Sequence, residues 1–144
     1  KLVSTLISEK GIGIAGPQVG ILKQIFIVAP NQKVTAPYDN LDTGLVVINP
    51  SITFNTQKED YEWEGCLSIP GIRGYVPRKC DITINYTNRH GEIKSEQYDD
   101  FIARIFLHEY DHLQGVLFID RVEDIKKDLI TDDYYKHLME EDDR

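Results

Sequence analysis

The sequence predicts an α+β fold: mixed and antiparallel strands packed around a central helix, with a further helix at the C-terminal end. Three observations carry this reading. Short apolar runs and period-two alternation occupy residues 25–54, a second alternating pair spans 82–98, and helical periodicity takes over from Asp99. In chain order, residues 2–10 read as the end of a helix, with Leu2, Leu6 and Ile7 at helical spacing and Gly11 and Gly13 as its stop. A glycine-rich loop follows. Ile25–Ala29 and Leu45–Ile48 are continuous apolar runs of strand length, and Ile52 and Phe54 alternate with polar neighbours in a third strand. Between the first two, residues 30–44 carry Asn31, Pro37, Asp39, Asn40 and Asp42, the residues of an exposed loop. Ile82, Ile84 and Tyr86 alternate, Asn88–Gly91 supplies a turn, and Glu92–Tyr98 returns, which makes a hairpin. Residues 99–114 form a helix with Asp99 or Asp100 as N-cap and Gly115 as its stop. Glu123–Glu141 reads as an acidic helix through Ile125, Leu129 and Leu138.

Composition narrows the function classes. At 144 residues the chain is expected to be one domain with a real core. Sixteen Lys and Arg stand against 24 Asp and Glu, a formal charge of −8, which is the wrong sign for nonspecific binding to nucleic acid or a membrane surface. No apolar run approaches the roughly 20 residues of a spanning helix. Lys1–Lys10 lacks the apolar core of a signal peptide, and because residue 1 is not Met the natural start is open. Two cysteines, Cys66 and Cys80, are too few for a disulfide scaffold, so a reduced, cytoplasmic setting is expected. Cys80 reads as a small buried strand residue and His90 as part of the hairpin turn.

The chemistry concentrates on His108-Glu109-Tyr110-Asp111-His112, a His-Glu-x-x-His spacing that sets two imidazoles one helical turn apart. At roughly 100° per residue, Phe101, Ile105, His108, His112 and Gly115 fall within about 80° of one another, so both histidines continue the inward apolar stripe. Glu109 and Asp111 flank that stripe about 160° apart and should not share a role. Glu109 is the candidate general base, beside a metal where it takes a proton from water and returns it to the leaving nitrogen. Asp111 is expected to support a ligand from behind. The bland alternative, two histidines filling an amphipathic helix, would place polar groups on an apolar face at a cost in burial energy.

A catalytic tetrahedral site needs a third protein ligand. Downstream, Asp120, Glu123, Asp124 and His137 are available, but none completes an extended His-x-x-Gly-x-x-His arrangement. Upstream, Cys66 in Glu64-Gly65-Cys66-Leu67-Ser68 sits between a glycine and a strand-like run. Together with Gly11-Ile12-Gly13-Ile14-Ala15-Gly16-Pro17-Gln18 and the histidine helix, that segment resembles, in order and spacing, the three signature motifs of peptide deformylases. The resemblance runs from Gly11 to about Arg121, through Pro77-Arg78 and Leu117-Phe118-Ile119-Asp120.

The resemblance implies a catalytic domain over residues 1–144 that hydrolyses the formyl group from the N-terminal formylmethionine of new polypeptides and releases formate. It implies Cys66, His108 and His112 as ligands of Fe2+, with Zn2+, Ni2+ or Co2+ as substitutes, a donor set that suits such ions better than Mg2+ or Ca2+. It also implies the Gln18 side-chain amide and the Leu67 backbone N–H as donors to the developing oxyanion. Gly13 and Gly65 would let substrate backbone approach, and Ile12, Phe101 and Ile105 are candidates for the methionine pocket. Phe101 and Ile105 read equally well as core, Gln18 as an ordinary loop residue, and Arg73 either as solvated or as meeting the peptide beyond methionine.

Two features depart from the family. Gly16 stands where a second alanine is usual, a change that can loosen the loop presenting Gln18 while Pro17 restores stiffness, so activity is expected to survive it, and the segment before the first motif is short. Residues 123–144 hold nine acids against four Lys or Arg, so the ribosome docking linked to a basic C-terminal helix in bacterial members is not expected by the same route. A monomer is expected, in the cytoplasm of a bacterium or of a virus's host, with an organelle left open. Two rival readings remain at this level: an enzyme of another specificity, either a metallopeptidase or a deacylase for another small acyl group, and a catalytically dead binding module with a closed four-ligand structural metal.

Overall fold

The computed structural model describes Leu2, Thr5 and residues 11–142. Leu2 and Thr5 are helical, and the rest of the helix expected over 2–10 lies outside the described residues. The described strands are β1 (Gly13–Ala15), β2 (Ile25–Val28), β3 (Asp39–Asn40), β4 (Gly44–Phe54), β5 (Glu59–Cys66), β6 (Ile69–Lys79), β7 (Asp81–Thr87), β8 (Ile93–Asp99) and β9 (Leu129–Thr131). Helix α1 is Asp100–Leu113 and helix α2 is Asp132–Asp142, with short 3-10 turns at Gly16–Val19 and Phe118–Arg121. One sheet runs β1-β2-β4-β7-β8 with β3 paired to β4, and a second runs β5-β6-β9. The fold is α+β, and antiparallel pairing accounts for every described strand pair.

The continuous apolar runs have a simple cause: both faces of the first sheet are covered at β2 and β4. Phe26, Val28, Leu45 and Val47 face the main core with α1, while Ile27 and Val46 face a second cluster with Leu2, Ile14 and Ala29. The main core is keyed by Phe106 of α1. Its ring meets Phe26 edge-on at 6.0 Å and stacks on Tyr98 at 4.6 Å. Burying a Phe side chain contributes about 1.5–3 kcal/mol, so this contact fixes α1 against the sheet.

Several boundaries differ from expectation. The glycine-rich segment is not all loop, because Gly13–Ala15 pairs with Phe26–Val28 as an edge strand. The two strands expected within 45–54 are one, with a register shift between Ile48 and Ser51. At the start of α1, Asp99 is the N-cap in extended conformation, but its side chain makes no capping bond. At the other end Gly115 takes a positive φ of 75°, the left-handed stop expected of it. Cys80 is half-buried at the bend between β6 and β7 rather than inside a strand.

The largest difference is the helix expected over 123–141, of which only α2 forms. Asp124 and Asp128 bond the backbone of their own segment: the Asp124 N–H donates to the Asp128 carboxylate at 3.0 Å and the Lys126 N–H to the Asp124 carboxylate at 2.9 Å. Residues 129–131 then pair with Ile72–Gly74, so tertiary pairing overrides helical periodicity. Ile125, expected on the helix's apolar face, is 69% exposed.

Candidate metal centre

Three elements converge on one point. Cys66 ends β5, where Leu67 and Ser68 make the two-residue turn into β6. His108 and His112 come from consecutive turns of α1. The ligand atoms of Cys66, His108 and His112 lie within 4.8 Å of one another, and the Cys66 Sγ is 3.3 Å from His112 Nε2. Burial pushes the Cys66 thiol up, but hydrogen bonds from His108 and His112 outweigh it and bring the pKa down to about 5. A thiolate between two imidazoles, with no fourth protein ligand in the cluster among the described residues, suits a divalent transition metal with an open position.

The support behind these donors is ionic. Glu64 accepts from His108 Nδ1 at 2.9 Å, from Arg78 Nε at 2.7 Å and Nη2 at 2.9 Å, and from Arg104 Nη1. Burial alone would raise the Glu64 carboxyl, yet the His108 and Arg78 bonds lower it to about 2. An ionised carboxylate can only accept, so His108 carries its proton on Nδ1 and turns Nε2 toward the centre. Burial pulls His108 down, and its bonds to the thiolate and Glu64 hold it near 10 in the metal-free chain. Arg78 also donates to Asp111 at 2.8 Å, and Arg121 donates to the same carboxylate at 2.9 and 3.0 Å. Asp111 therefore stands behind the ligands, as the sequence reading placed it, and reaches them through Arg78 and Glu64. Phe118 closes the back: its ring lies parallel to His108 at 6.2 Å, and Gly74 leaves it room, since a Cβ there would sit 2.9 Å from that ring.

Glu109 lies in front of the centre. It is buried, its Oε1 has no hydrogen-bond partner, and burial raises it to about 7 against the pull of His108 and His112. A Cβ on Gly13 would fall 2.5 Å from Glu109 Oε2, so any side chain at that point of β1 would push the carboxylate out of its present place. Gln18 is fixed by its carbonyl, which accepts the Ala15 N–H at 2.7 Å. Its amide nitrogen then points to Ser68 Oγ at 3.0 Å and Cys66 Sγ at 3.6 Å. Gly16 does not loosen this turn. The room a methyl would need is taken by the Ile21 carbonyl 2.6 Å away, so glycine allows a tighter one.

A cavity of about 630 Å³ opens over these groups, lined in part by Ile12, Gly13, Gln18, Gly65, Cys66 and Leu67. Arg73, Phe101, Ile105, His108 and Glu109 line it too. Phe101 is 58% exposed, not inward as the helical wheel placed it, whereas Ile105 is buried in the core and touches the cavity as well. Sequence reasoning missed the roles of Glu64 and Arg78, although both stood inside quoted motifs, and it missed Arg104, Trp63, Asp132 and Tyr135, for which the sequence carried no signal. Elsewhere, Cys80 has its sulfur within 4.8 Å of carboxylate oxygens of Asp60 and Asp100, companions that its spacing did not suggest. His90 pairs with Asp39 at 2.9 Å in the hairpin turn.

The sequence model of the family described as Polypeptide deformylase matches residues 1–128. A relative from Nostoc sp., Peptide deformylase 2, is 44% identical over 138 residues, covering 96% of this chain and 76% of the relative. The crystal structure of peptide deformylase from Thermotoga maritima superposes with a TM-score of 0.76 at 35% identity, over 85% of this chain and 77% of that one. The deformylase from Synechococcus elongatus in complex with actinonin gives 0.73 at 39% identity, over 85% of this chain and 62% of that one. With the fold, the ordered motifs and these relatives in agreement, the chain belongs to the polypeptide deformylase family.

Proposed function

We propose that this chain hydrolyses the formyl group from the N-terminal formylmethionine of newly made polypeptides, releasing formate, with Cys66, His108 and His112 holding Fe2+, for which Zn2+, Ni2+ or Co2+ can substitute. The observation that carries the proposal is the meeting of a low-pKa thiolate, two imidazoles and a buried, raised carboxyl with an unpartnered oxygen at one cavity. Held by Cys66, His108 and His112, such a cation would supply Lewis-acid polarisation of the formyl carbonyl and would make water more acidic.

The chain's own residues do the rest. Glu109, raised to about 7, is suited to take a proton from the attacking water and to return it to the departing amine nitrogen. The Gln18 amide, anchored by Ala15, and the Leu67 N–H in the turn after Cys66 are proposed as donors to the oxygen as it gains charge. Glu64 keeps the His108 ring in one orientation and one tautomer. Ile12, Phe101 and Ile105 are proposed to receive the methionine side chain, with Gly13 and Gly65 giving its backbone close access and Arg73 lying farther along the cavity.

We further propose that the chain acts as a monomer in the cytoplasm. No described helix is long and apolar enough to cross a membrane. Helix α2 carries Asp132, Asp133 and Glu140 against Lys136, an acidic balance that does not favour ribosome docking through a basic helix. Formate release from a formyl-Met peptide, abolished in Glu109→Gln with metal retained, tests the reading; full activity in that variant would refute the role of Glu109.

A further inference from the structure

The metal donors are backed by a turn that contributes no donor itself. Phe118–Arg121 follows α1 closely, since the Val116 N–H donates to the Asp111 carbonyl at 2.9 Å and the Leu117 N–H to the Asp120 carboxylate at 2.9 Å. From this turn Phe118 lays its ring against His108 at 6.2 Å. Arg121 reaches the same histidine indirectly. Its Nη2 and Nε donate to the two oxygens of Asp111 at 2.9 and 3.0 Å, and Asp111 also accepts from Arg78 Nη1 at 2.8 Å. Arg78 in turn grips both oxygens of Glu64 at 2.7 and 2.9 Å, and Glu64 accepts the His108 Nδ1 proton at 2.9 Å.

The charges along this chain show what Arg121 adds. Among the described residues, Arg78 and Arg121 are the two cations paired with Asp111. Without Arg121, the Asp111 carboxylate, 8% exposed, keeps only a guanidinium that it must share with Glu64. A buried carboxylate short of a partner is costly, so Arg78 is then drawn toward Asp111 and away from Glu64. Glu64 loses part of its own support and holds the His108 ring less firmly, and ring orientation is what such outer partners govern. As a stabilising ion pair Arg121 counts for less, because its side chain is 48% exposed.

We propose that Arg121 is a positioning residue of the metal centre: paired with Asp111, it leaves Arg78 committed to Glu64 and so sets how tightly Cys66, His108 and His112 hold a divalent cation. The proposal rests on the metal-centre reading above, and its test separates the two. Metal-free wild-type protein, Arg121→Met and Arg121→Lys are each titrated with Co2+ against a chelator, and the His108 Nδ1 proton of each metal-free chain is followed by hydrogen-exchange NMR. Methionine keeps an apolar stem without charge or donors, and lysine keeps the charge without the fork. Arg121→Met should bind Co2+ about 3- to 10-fold more weakly than wild type, less than the roughly 10–100-fold typical of a partner bonded to the ligand itself. Its Nδ1 proton should also exchange several-fold faster, and Arg121→Lys should recover part of both losses. A role in packing alone would lower Tm and move neither readout. In Arg121→Met, a Co2+ affinity within about 2-fold of wild type, or an unchanged exchange rate, overturns the proposal. Should that variant not fold, Arg121→Gln carries the same expectations. If wild type binds no Co2+, the metal reading fails instead, and the exchange rate alone decides the role of Arg121.

Discussion

Replacing Gly13 with alanine probes the close approach of β1 to Glu109. The new Cβ would stand 2.5 Å from Glu109 Oε2 and 3.0 Å from Glu109 Cδ and Cγ. Ordinary van der Waals contact begins near 3.4 Å, so the carboxylate must retreat by about 1 Å, into the cavity it lines and away from its place beside the metal donors. A displacement of that size at a reacting group costs about 100-fold in rate, within the roughly 10²–10⁴-fold span of a general base. Gly13→Ala should therefore lower kcat for formate release by about 100-fold while metal content stays at one per chain. The loss should be non-additive. In a Glu109→Gln background the alanine should cost only a few-fold more, because both changes disable one group. Formate release by single and double variants, with metal measured in each, checks this. Gly13→Ala retaining kcat within about 3-fold, or losses that multiply, would refute the assignment of Glu109 as the group that Gly13 accommodates.

Three further expectations follow from the same geometry. Glu109→Gln should keep its metal, measured by elemental analysis, and lose about 10²–10⁴-fold in kcat, since a ligand is spared and a proton carrier removed. Glu64→Gln should lower metal affinity by about 10–100-fold in a chelator competition and destabilise the fold by about 3–5 kcal/mol in urea, because Arg78 and Arg104 lose a buried counter-charge. In the metal-free chain the Glu64 carboxyl is lowered from 4.5 to about 2, so its contribution to stability is complete above pH 4.5 and is lost as pH falls toward 2. Acid titration of unfolding should be shallower in Glu64→Gln across that window, and parallel curves would contradict the ionised state of Glu64.

Much of the centre could be read from the chain because its geometry is local. His108, Glu109 and His112 lie on one helix, whose 3.6-residue period fixes their relative directions, and the β7–β8 hairpin is written in alternation and in Asn88–Gly91. Cys66 was different: its closeness to the histidines depends on how β5 meets α1, and only the ordered motifs brought it in. The ionic support from Glu64, Arg78 and Arg104 was not visible for the same reason, since each partner lies on a different element and periodicity is silent about pairs. Phe101 shows the limit of the wheel. It shares the histidines' stripe but sits in the first turn of α1, at the cavity mouth, where the sheet no longer covers it. The fate of residues 123–131 was decided by Asp124, Asp128 and the free edge of β6, so a helical pattern there gave way to a turn and a strand.

The central claim is that Cys66, His108, His112 and Glu109 make one metal-dependent deformylating site. Its most direct test is formate release by anaerobically purified, metal-quantified protein given formyl-Met and acetyl-Met peptides side by side, since a thiolate-bound Fe2+ is prone to oxidation. The expected result is turnover of the formyl peptide alone, proportional to bound metal, lost on chelation and restored by Fe2+. Equal turnover of the acetyl peptide, or formate release that persists in fully metal-free protein, would contradict the account.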